Sequence, residues 1–475
     1  MTVHECSVCG FLFDEEKESK RWEELPRDWT CPICGSGKAY FSPRRRESAQ
    51  EKRDVEGEVK KTGKPAPDEY LGEWRRASDD LETHLASIHE MARTGESLDE
   101  PMRSRKPCVS WDDILIRGVQ LARIPLNADE AVNTETVIGP KAQKPLVIQT
   151  PIYITHMSFG ALSKKVILAL AKGSAAVKTA MCSGEGGILP ESIENAYRFI
   201  FEYVPNEYSA TDENLKRADA IEIKIGQSAK PGMGGHLPAA KVTKDIAAIR
   251  GRPEGSDIVS PSRFKDIRNR DDLRRKVNHL RVISEGRPIG IKLAAGSIEA
   301  DLEVALYAEP DFITIDGRPG ATGSAPKFVK DSTSIPSIFA LRRARKFLDE
   351  RRAKGVSLVI TGGLRVSSDF AKAIALGADA IAIGTAALIA CGCQQYRICN
   401  TGRCPVGITT HDPNLTSRLD VDESAERLSN FLRVSTEELK TYARLTGNDD
   451  VHKLSMLDLC TTNSEISNHT DVEHV

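Results

Sequence analysis

The chain has 475 residues, room for two or three domains at ~100–200 residues each, or for one large α/β barrel with additions. Its 66 Lys+Arg and 68 Asp+Glu cancel to a net charge of −2, so the basic surplus of a dedicated nucleic-acid binder is missing. No apolar run approaches the ~20 residues that cross a bilayer, and the opening MTVHECSVCGFLFDEE lacks the basic start and apolar core of a secretory signal. The expectation is a cytoplasmic protein with no nucleic-acid or membrane partner.

Residues 1–45 read as a compact cysteine-bearing unit. Cys6 with Cys9, and Cys31 with Cys34, form two CxxC turns, each followed by Gly. Such a turn puts two thiolates on one side of a tight loop, and two turns make a tetrahedral four-sulfur site that suits zinc or a single iron. The next block, 46–105, is a charged linker and a helical segment. Within it SPRRRESAQEKRDVEGEVKKTGKPAPDE (42–69) is almost devoid of large apolar residues and reads as solvated.

From 106 to 420 short apolar runs alternate with helical patterns. The runs are IYITHMSF (152–159), KTAMCSG (178–184), AIEIKIG (220–226), DIVSP (257–261), PIGIKLA (288–294), DFITIDG (311–317), SLVITGG (357–363) and AIAIGT (380–385). Strands separated by helices indicate parallel pairing through crossovers. Eight of them fit a (β/α)8 TIM barrel, whose chemistry sits at the strands' C-terminal ends. The alternative is an open doubly wound sheet, but no early GxGxxG turn marks its crevice. The tail, 421–475, is helical and polar and reads as a frayed terminus.

Three stretches of the barrel carry chemistry. TGGL (361–364) and IGTA (383–386) place Gly362, Gly363, Gly384 and Thr385 after the last two strands, where barrels commonly bind phosphate through backbone N–H groups. Glycine also occurs there for turn geometry alone. The loop GQSAKPGMGGHLPAAKV (226–242) has Lys224, Lys230, His236 and Lys241 in or beside it, which suits a carboxylate substrate, or else a solvated surface. Finally Cys393, Cys399 and Cys404, the last followed by Pro, suit a cubane-type iron–sulfur cluster. Cys391 is a candidate fourth ligand, and Cys108 and Cys460 read as packing residues.

The N-terminal unit, with LPRDW before its second turn and the aromatics Phe11, Phe13, Trp22, Trp29 and Phe41, resembles rubredoxin. That resemblance implies one mononuclear iron for single-electron transfer, in preference to a structural zinc. MSFGALS (157–163), SGEGG (183–187), IKIGQSAKPGMGGHLP (223–238), DGRPGATGSAP (316–326), TGGL and the cysteine run resemble the FMN-binding synthase domain of the glutamate synthase family. The resemblance covers roughly 145–415. It implies FMN, a 3Fe–4S cluster on Cys393, Cys399 and Cys404 (4Fe–4S if Cys391 joins), and amination of 2-oxoglutarate by ammonia through 2-iminoglutarate. It further implies that Lys230 and Arg250 face the 2-oxoglutarate carboxylates, with Glu185 and His236 in the substrate pocket. Met157, Ser158, Gly160, Lys224, Gln227 and Lys292 would serve the flavin, Lys292 opposing negative charge on its reduced ring. Cys182 would touch the flavin or pack in the core.

The chain departs from the large members of that family. His236 stands where they have Gln, and SRFKD (262–266) where they have PHHD. No glutaminase domain fits in this length, so the short archaeal-type proteins are the better likeness. The expected partners are 2-oxoglutarate, ammonia, a separate glutaminase subunit, an electron-donor protein and further copies of the chain. Two alternatives stay open: a synthase making an N-substituted glutamate or aminating another 2-oxo acid, and an electron-transfer subunit without turnover.

Overall fold

Strands buried on both faces need near-continuous apolar sequence, and eight such runs close into one parallel barrel. They are β1 (Ile152–Ile154), β2 (Ala180–Cys182), β3 (Arg198–Tyr203), β4 (Ala220–Lys224), β5 (Ile289–Ala294), β6 (Phe312–Asp316), β7 (Ser357–Thr361) and β8 (Ala380–Ile383). β8 pairs with β1 and completes the circle. The computed structural model describes residues 3–6, 11–15, 20–32, 36–44, 76 and 78–475.

Seven of the eight expected strands belong to the barrel; the eighth does not. Ile258–Val259, from the run DIVSP, pairs antiparallel with His236–Leu237 inside the long β4–β5 connection. Val259 is 68% exposed, which no barrel strand of this kind tolerates. Its place is taken by β3, RFIFEY, whose two charges hide the pattern. Arg198 lies at the strand's entrance on Asp219, and Glu202 points among other buried ionised groups.

The tail is not frayed. Helix α1 (Lys164–Ala176) follows the β1 loop, and a 25-residue helix, here α3 (Val421–Leu445), packs along it with Leu428, Leu432 and Leu439 fully buried. Gly173 of α1 makes this contact, because a Cβ there would stand 2.8 Å from the Ala425 carbonyl oxygen. Beyond α3, Leu459–Thr461 pairs with Ile114–Ile116, and Glu473–His474 adds a further strand beside it. Between β8 and α3 a short helix, α2 (Thr385–Ala390), leads into the cysteine loop.

Contacts divide the chain into units 1–99 and 100–475. In the first, Val3–Cys6 pairs antiparallel with Leu12–Asp14 and with Phe41–Arg44. Phe13, Trp22, Trp29 and Phe41 form an aromatic core, with Trp22 and Phe41 centroids 4.8 Å apart. Cys6 and Cys31 are buried. Cys9, Cys34 and the linker at 46–69 lie outside the described residues. Of the helical segment, the described helix is Leu85–Thr94.

The α1–α3 contact yields a stability prediction. Leu428→Ala should cost about 2–5 kcal/mol in denaturant unfolding, as expected for a truncated core leucine. A change within ±0.5 kcal/mol, roughly what surface positions give, would mean that α3 contributes no core.

Candidate active site

The C-terminal ends of the barrel strands surround a cavity of about 500 Å³. Thr155 to Ser158 after β1, Gly362 and Gly363 after β7, and Gly384 and Thr385 after β8 all reach its wall. The last two strand ends thus bring glycine backbone and a hydroxyl to the wall, beside the larger side chains of Leu364, Arg365 and Leu388. Lys292, Gln227 and Met157 lie on the same wall, with Gln227 donating to the Thr322 hydroxyl at 3.4 Å.

Parallel register decides which charges are neighbours. Lys224 on β4 pairs with Lys292 on β5, and Glu202 on β3 pairs with Glu222 on β4. Three of the four are countered by a group from elsewhere, while Glu202 has its two neighbours, His156 and Lys224, at 3.8 Å. Lys224 bonds Glu185, and Lys292 stands 3.9 Å from Asp316. His156 Nε2 meets a Glu222 oxygen at 2.6 Å, while the Thr314 hydroxyl donates to the other oxygen. Burial opposes ionisation of Glu222, yet His156 and Lys292 hold its carboxyl below the ordinary value. Burial also opposes charge on Glu185 and Lys224. Their mutual attraction prevails, with Lys230 assisting: Glu185 is held down to about 2, and Lys224 is raised above the ordinary lysine value.

Four residues expected at the substrate lie in the connections over this floor: Glu185 and Lys230 in loops, His236 in the short hairpin and Arg250 at the end of the helix Lys244–Arg250. Glu185 and Lys230 are close enough to interact, and both line the cavity. Gly235 is required beside them, because a Cβ at that position would collide with the Glu185 carboxylate. Arg250 also lines the cavity, buried, with Nη2 donating to the Phe159 carbonyl at 2.8 Å. Its Nε has no hydrogen-bond partner among the described residues, which leaves a buried donor. His236 differs from the others. It lies at the rim, 41% exposed, paired with Asp257 at 3.1 Å.

Gly160 is not in the cavity wall. Its carbonyl accepts from His411 Nε2 at 2.8 Å, and it packs behind the wall against Arg250. Cys182 likewise belongs to the core, with Tyr153 and Phe312.

The cysteine loop reaches the cavity through Cys399. Lys241 Nζ ties it down, donating to the carbonyls of Ala161 at 3.1 Å and Cys399 at 3.2 Å. Gln395 donates to Cys393 sulfur from its side chain at 3.2 Å, and Cys399 sulfur lies 3.6 Å from the Met102 thioether. Burial pushes the Cys399 thiol up to about 11 and that of Cys391 to about 12. Cys391 is buried in the apolar core. Among the described residues no three His, Cys, Asp or Glu side chains converge on a single-ion site. In a multi-iron cluster each thiolate binds a different iron, so its ligands stand further apart than those of one ion.

His156, Glu202, Asp316 and Met102 line the same cavity and were not expected from the sequence. His156 had a signal, since it directly precedes the MSFG motif. Met102 had none, lying before the barrel in a segment without pattern.

Comparison with known proteins bears on what this site serves. Residues 104–449 match the model of the conserved region in glutamate synthase, and residues 3–41 match rubredoxin. A glutamate synthase large subunit-like protein of Rhizobium meliloti is 36% identical over 80% of this chain and 91% of its own. An archaeal-type glutamate synthase (NADPH) of Thermotoga maritima is 37% identical over 75% of each chain. Among solved structures, mandelate oxidase with (S)-2-phenylpropionate is 16% identical, covers 74% of this chain and 86% of that one, and has a TM-score of 0.48. Among the described residues no helix is long and apolar enough to cross a membrane. The family match spans the whole barrel together with α3, and on that extent the chain belongs to the glutamate synthase family of oxidoreductases, with a rubredoxin-family segment ahead of the barrel.

Proposed function

We propose that the barrel aminates 2-oxoglutarate to L-glutamate with ammonia, by way of 2-iminoglutarate, in a reducing, cytoplasmic setting. The observation that carries this reading is the set of cations, Lys230, Arg250 and Lys292 buried and Lys224 nearly so, facing one cavity with strand-end glycines and Cys399. A dicarboxylate suits such a site because charge-assisted hydrogen bonds are strongest where water is excluded.

FMN fits the wall formed by Met157, Ser158, Gly362, Gly363, Gly384 and Thr385, with Lys292, Lys224 and Gln227 around it. Bound there, it supplies a hydride to the imine carbon. The residues of the chain do the rest. Lys230 and the unpartnered Nε of Arg250 hold the substrate carboxylates. Glu185, kept ionised at about 2, is a weak base, so it orients ammonia by accepting hydrogen bonds from its N–H groups rather than by taking a proton. Cys393, Cys399 and Cys404 would hold a 3Fe–4S cluster, or a 4Fe–4S cluster if Cys391 joins them. Cys6, Cys9, Cys31 and Cys34 would hold one iron, which would supply single-electron transfer from a donor protein. A separate glutaminase subunit provides ammonia.

A second reading replaces ammonia by a larger amine and yields an N-substituted glutamate. The exposed His236–Asp257 pair at the cavity rim favours it, being placed to meet a substituent.

Anaerobically reduced protein tests these readings. Reoxidation of its flavin by 2-oxoglutarate with ammonium supports the first, by 2-oxoglutarate with an amine the second, and by neither defeats both. Lys230→Ala removes a charge-assisted bond of about 1.5–3 kcal/mol, so kcat/KM should fall roughly tenfold to a hundredfold or more. FMN content should stay the same. Wild-type kinetics in that variant would remove Lys230 from the substrate site.

Cofactor content gives a separate check. Iron analysis and EPR should find one mononuclear iron and one multi-iron cluster, and Cys31→Ser should abolish the mononuclear signal alone. Loss of both signals in a folded variant would contradict two independent centres.

A further inference from the structure

Beneath the cavity two buried carboxylates, Glu202 and Glu222, stand opposite each other on β3 and β4, 2% and 1% exposed. Like charges in that relation repel, and more strongly away from water. Glu222 is fully engaged, by His156 Nε2 on one oxygen and the Thr314 hydroxyl on the other. An ionised carboxylate only accepts, so the hydrogen of that first bond belongs to His156 Nε2. The atom of the ring free to change its protonation is therefore Nδ1.

Nδ1 is buried and has no hydrogen-bond partner among the described residues. Glu202 Oε2 lies 3.8 Å from it, and Glu202 Oε1 lies 3.8 Å from Lys224 Nζ. Oε1 also has no hydrogen-bond partner among the described residues. The Glu202 carboxylate thus stands equally far from the His156 ring and the Lys224 ammonium, outside hydrogen-bond distance of either. Its backbone N–H is fixed on the Ser183 hydroxyl at 2.9 Å, so side-chain rotation alone brings it to one or the other.

We propose that His156 is a positioning residue whose Nδ1 proton chooses the partner of Glu202 and thereby sets how firmly Lys224 holds Glu185. With Nδ1 protonated, Glu202 closes on His156 and leaves Lys224 to Glu185. With Nδ1 bare, its lone pair turns Glu202 away; Glu202 closes on Lys224 and loosens the Lys224–Glu185 pair. The proton at the floor is in this way read at the substrate loop. Glu202 and Glu222 face His156 directly, and Lys224, Lys292 and Asp316 line the same cavity around it. Tyr153 and Cys182, from β1 and β2, stay neutral because burial pushes both far above their ordinary values. This inference rests on the reading of Glu185 as part of the substrate site.

The test uses the holoenzyme and two measurements. The first is the 15N spectrum of histidine-labelled protein against pH, with His156→Gln to assign the ring. Nε2 should remain protonated while Nδ1 titrates, and Glu202→Gln should move that titration to lower pH by removing an anion beside it. The second is the Kd of 2-oxoglutarate against pH, read from flavin absorbance. Wild type should show an inflection of roughly fivefold or more, the scale of ordinary coupling between sites. His156→Gln and Glu202→Gln should each abolish it, and the double variant should do no more than either. A ring protonated at Nδ1 rather than Nε2, a ring that does not titrate, or an inflection that survives in His156→Gln would overturn the proposal. If wild type binds no 2-oxoglutarate at any pH, the substrate reading fails, and the ring titration with its response to Glu202→Gln still decides the inference.

Discussion

Everything at the mouth of the barrel follows from placing ionised groups where water is scarce. A parallel barrel fixes its neighbours by register, and here register sets Lys224 beside Lys292 and Glu202 beside Glu222. Neither pairing is tolerable alone. The fold tolerates both because the two like-charged pairs lie next to each other and further groups arrive from neighbouring segments: Glu185 from a loop for Lys224, Asp316 from the end of β6 for Lys292, and His156 from the loop after β1 for Glu222. Such an arrangement is weak evidence for stability, since desolvation can exceed the attraction gained. It is better evidence for function, because perturbed ionisable groups collect at sites where charge must be held or moved.

Much of this architecture was legible in the sequence. Seven strands announced themselves as short apolar runs set between helical patterns, and the CxxC turns and the cysteine run stood out as candidate ligand sets. The failures have a common physical cause. β3 was overlooked because Glu202 and Arg198 interrupt its apolar pattern, and Ile258–Val259 was admitted because a short apolar run looks the same in a barrel or in a loop hairpin. Pattern reading assumes that charge means solvent. At the active end of a barrel that assumption fails, and it fails for the residues that carry the chemistry.

The same cause hid the C-terminal packing. α3 carries Glu, Arg, Lys and Asp along most of its length, so its composition reads as solvated. Its buried stripe of Ala425, Leu428, Leu432, Leu439 and Ala443 emerges only at helical spacing. His236 shows the converse. Its place in a motif suggested a pocket residue, but pairing with Asp257 on the neighbouring hairpin keeps it at the rim.

The wall nearest the cysteine loop shows how distant segments become one mechanical unit. Ser163, the cap of α1, accepts from the Val166 N–H and gives its hydroxyl hydrogen to the Gly407 carbonyl, while its backbone N–H donates to Ile408. His411 holds the Gly160 carbonyl, and Lys241 joins Ala161 to Cys399. These bonds stitch the loop after β1, the β4–β5 connection and the cysteine loop together, and α3 clamps α1 from outside. Buried hydrogen bonds of this kind are costly to break singly, because each leaves a polar group without a partner. The cysteine loop is thus held to the same β1 loop that carries Met157 and Ser158, where the Leu162 N–H donates to the Ser158 carbonyl. An iron–sulfur centre on that loop would share one rigid support with whatever binds above the barrel, and such support is what a fixed electron-transfer geometry requires.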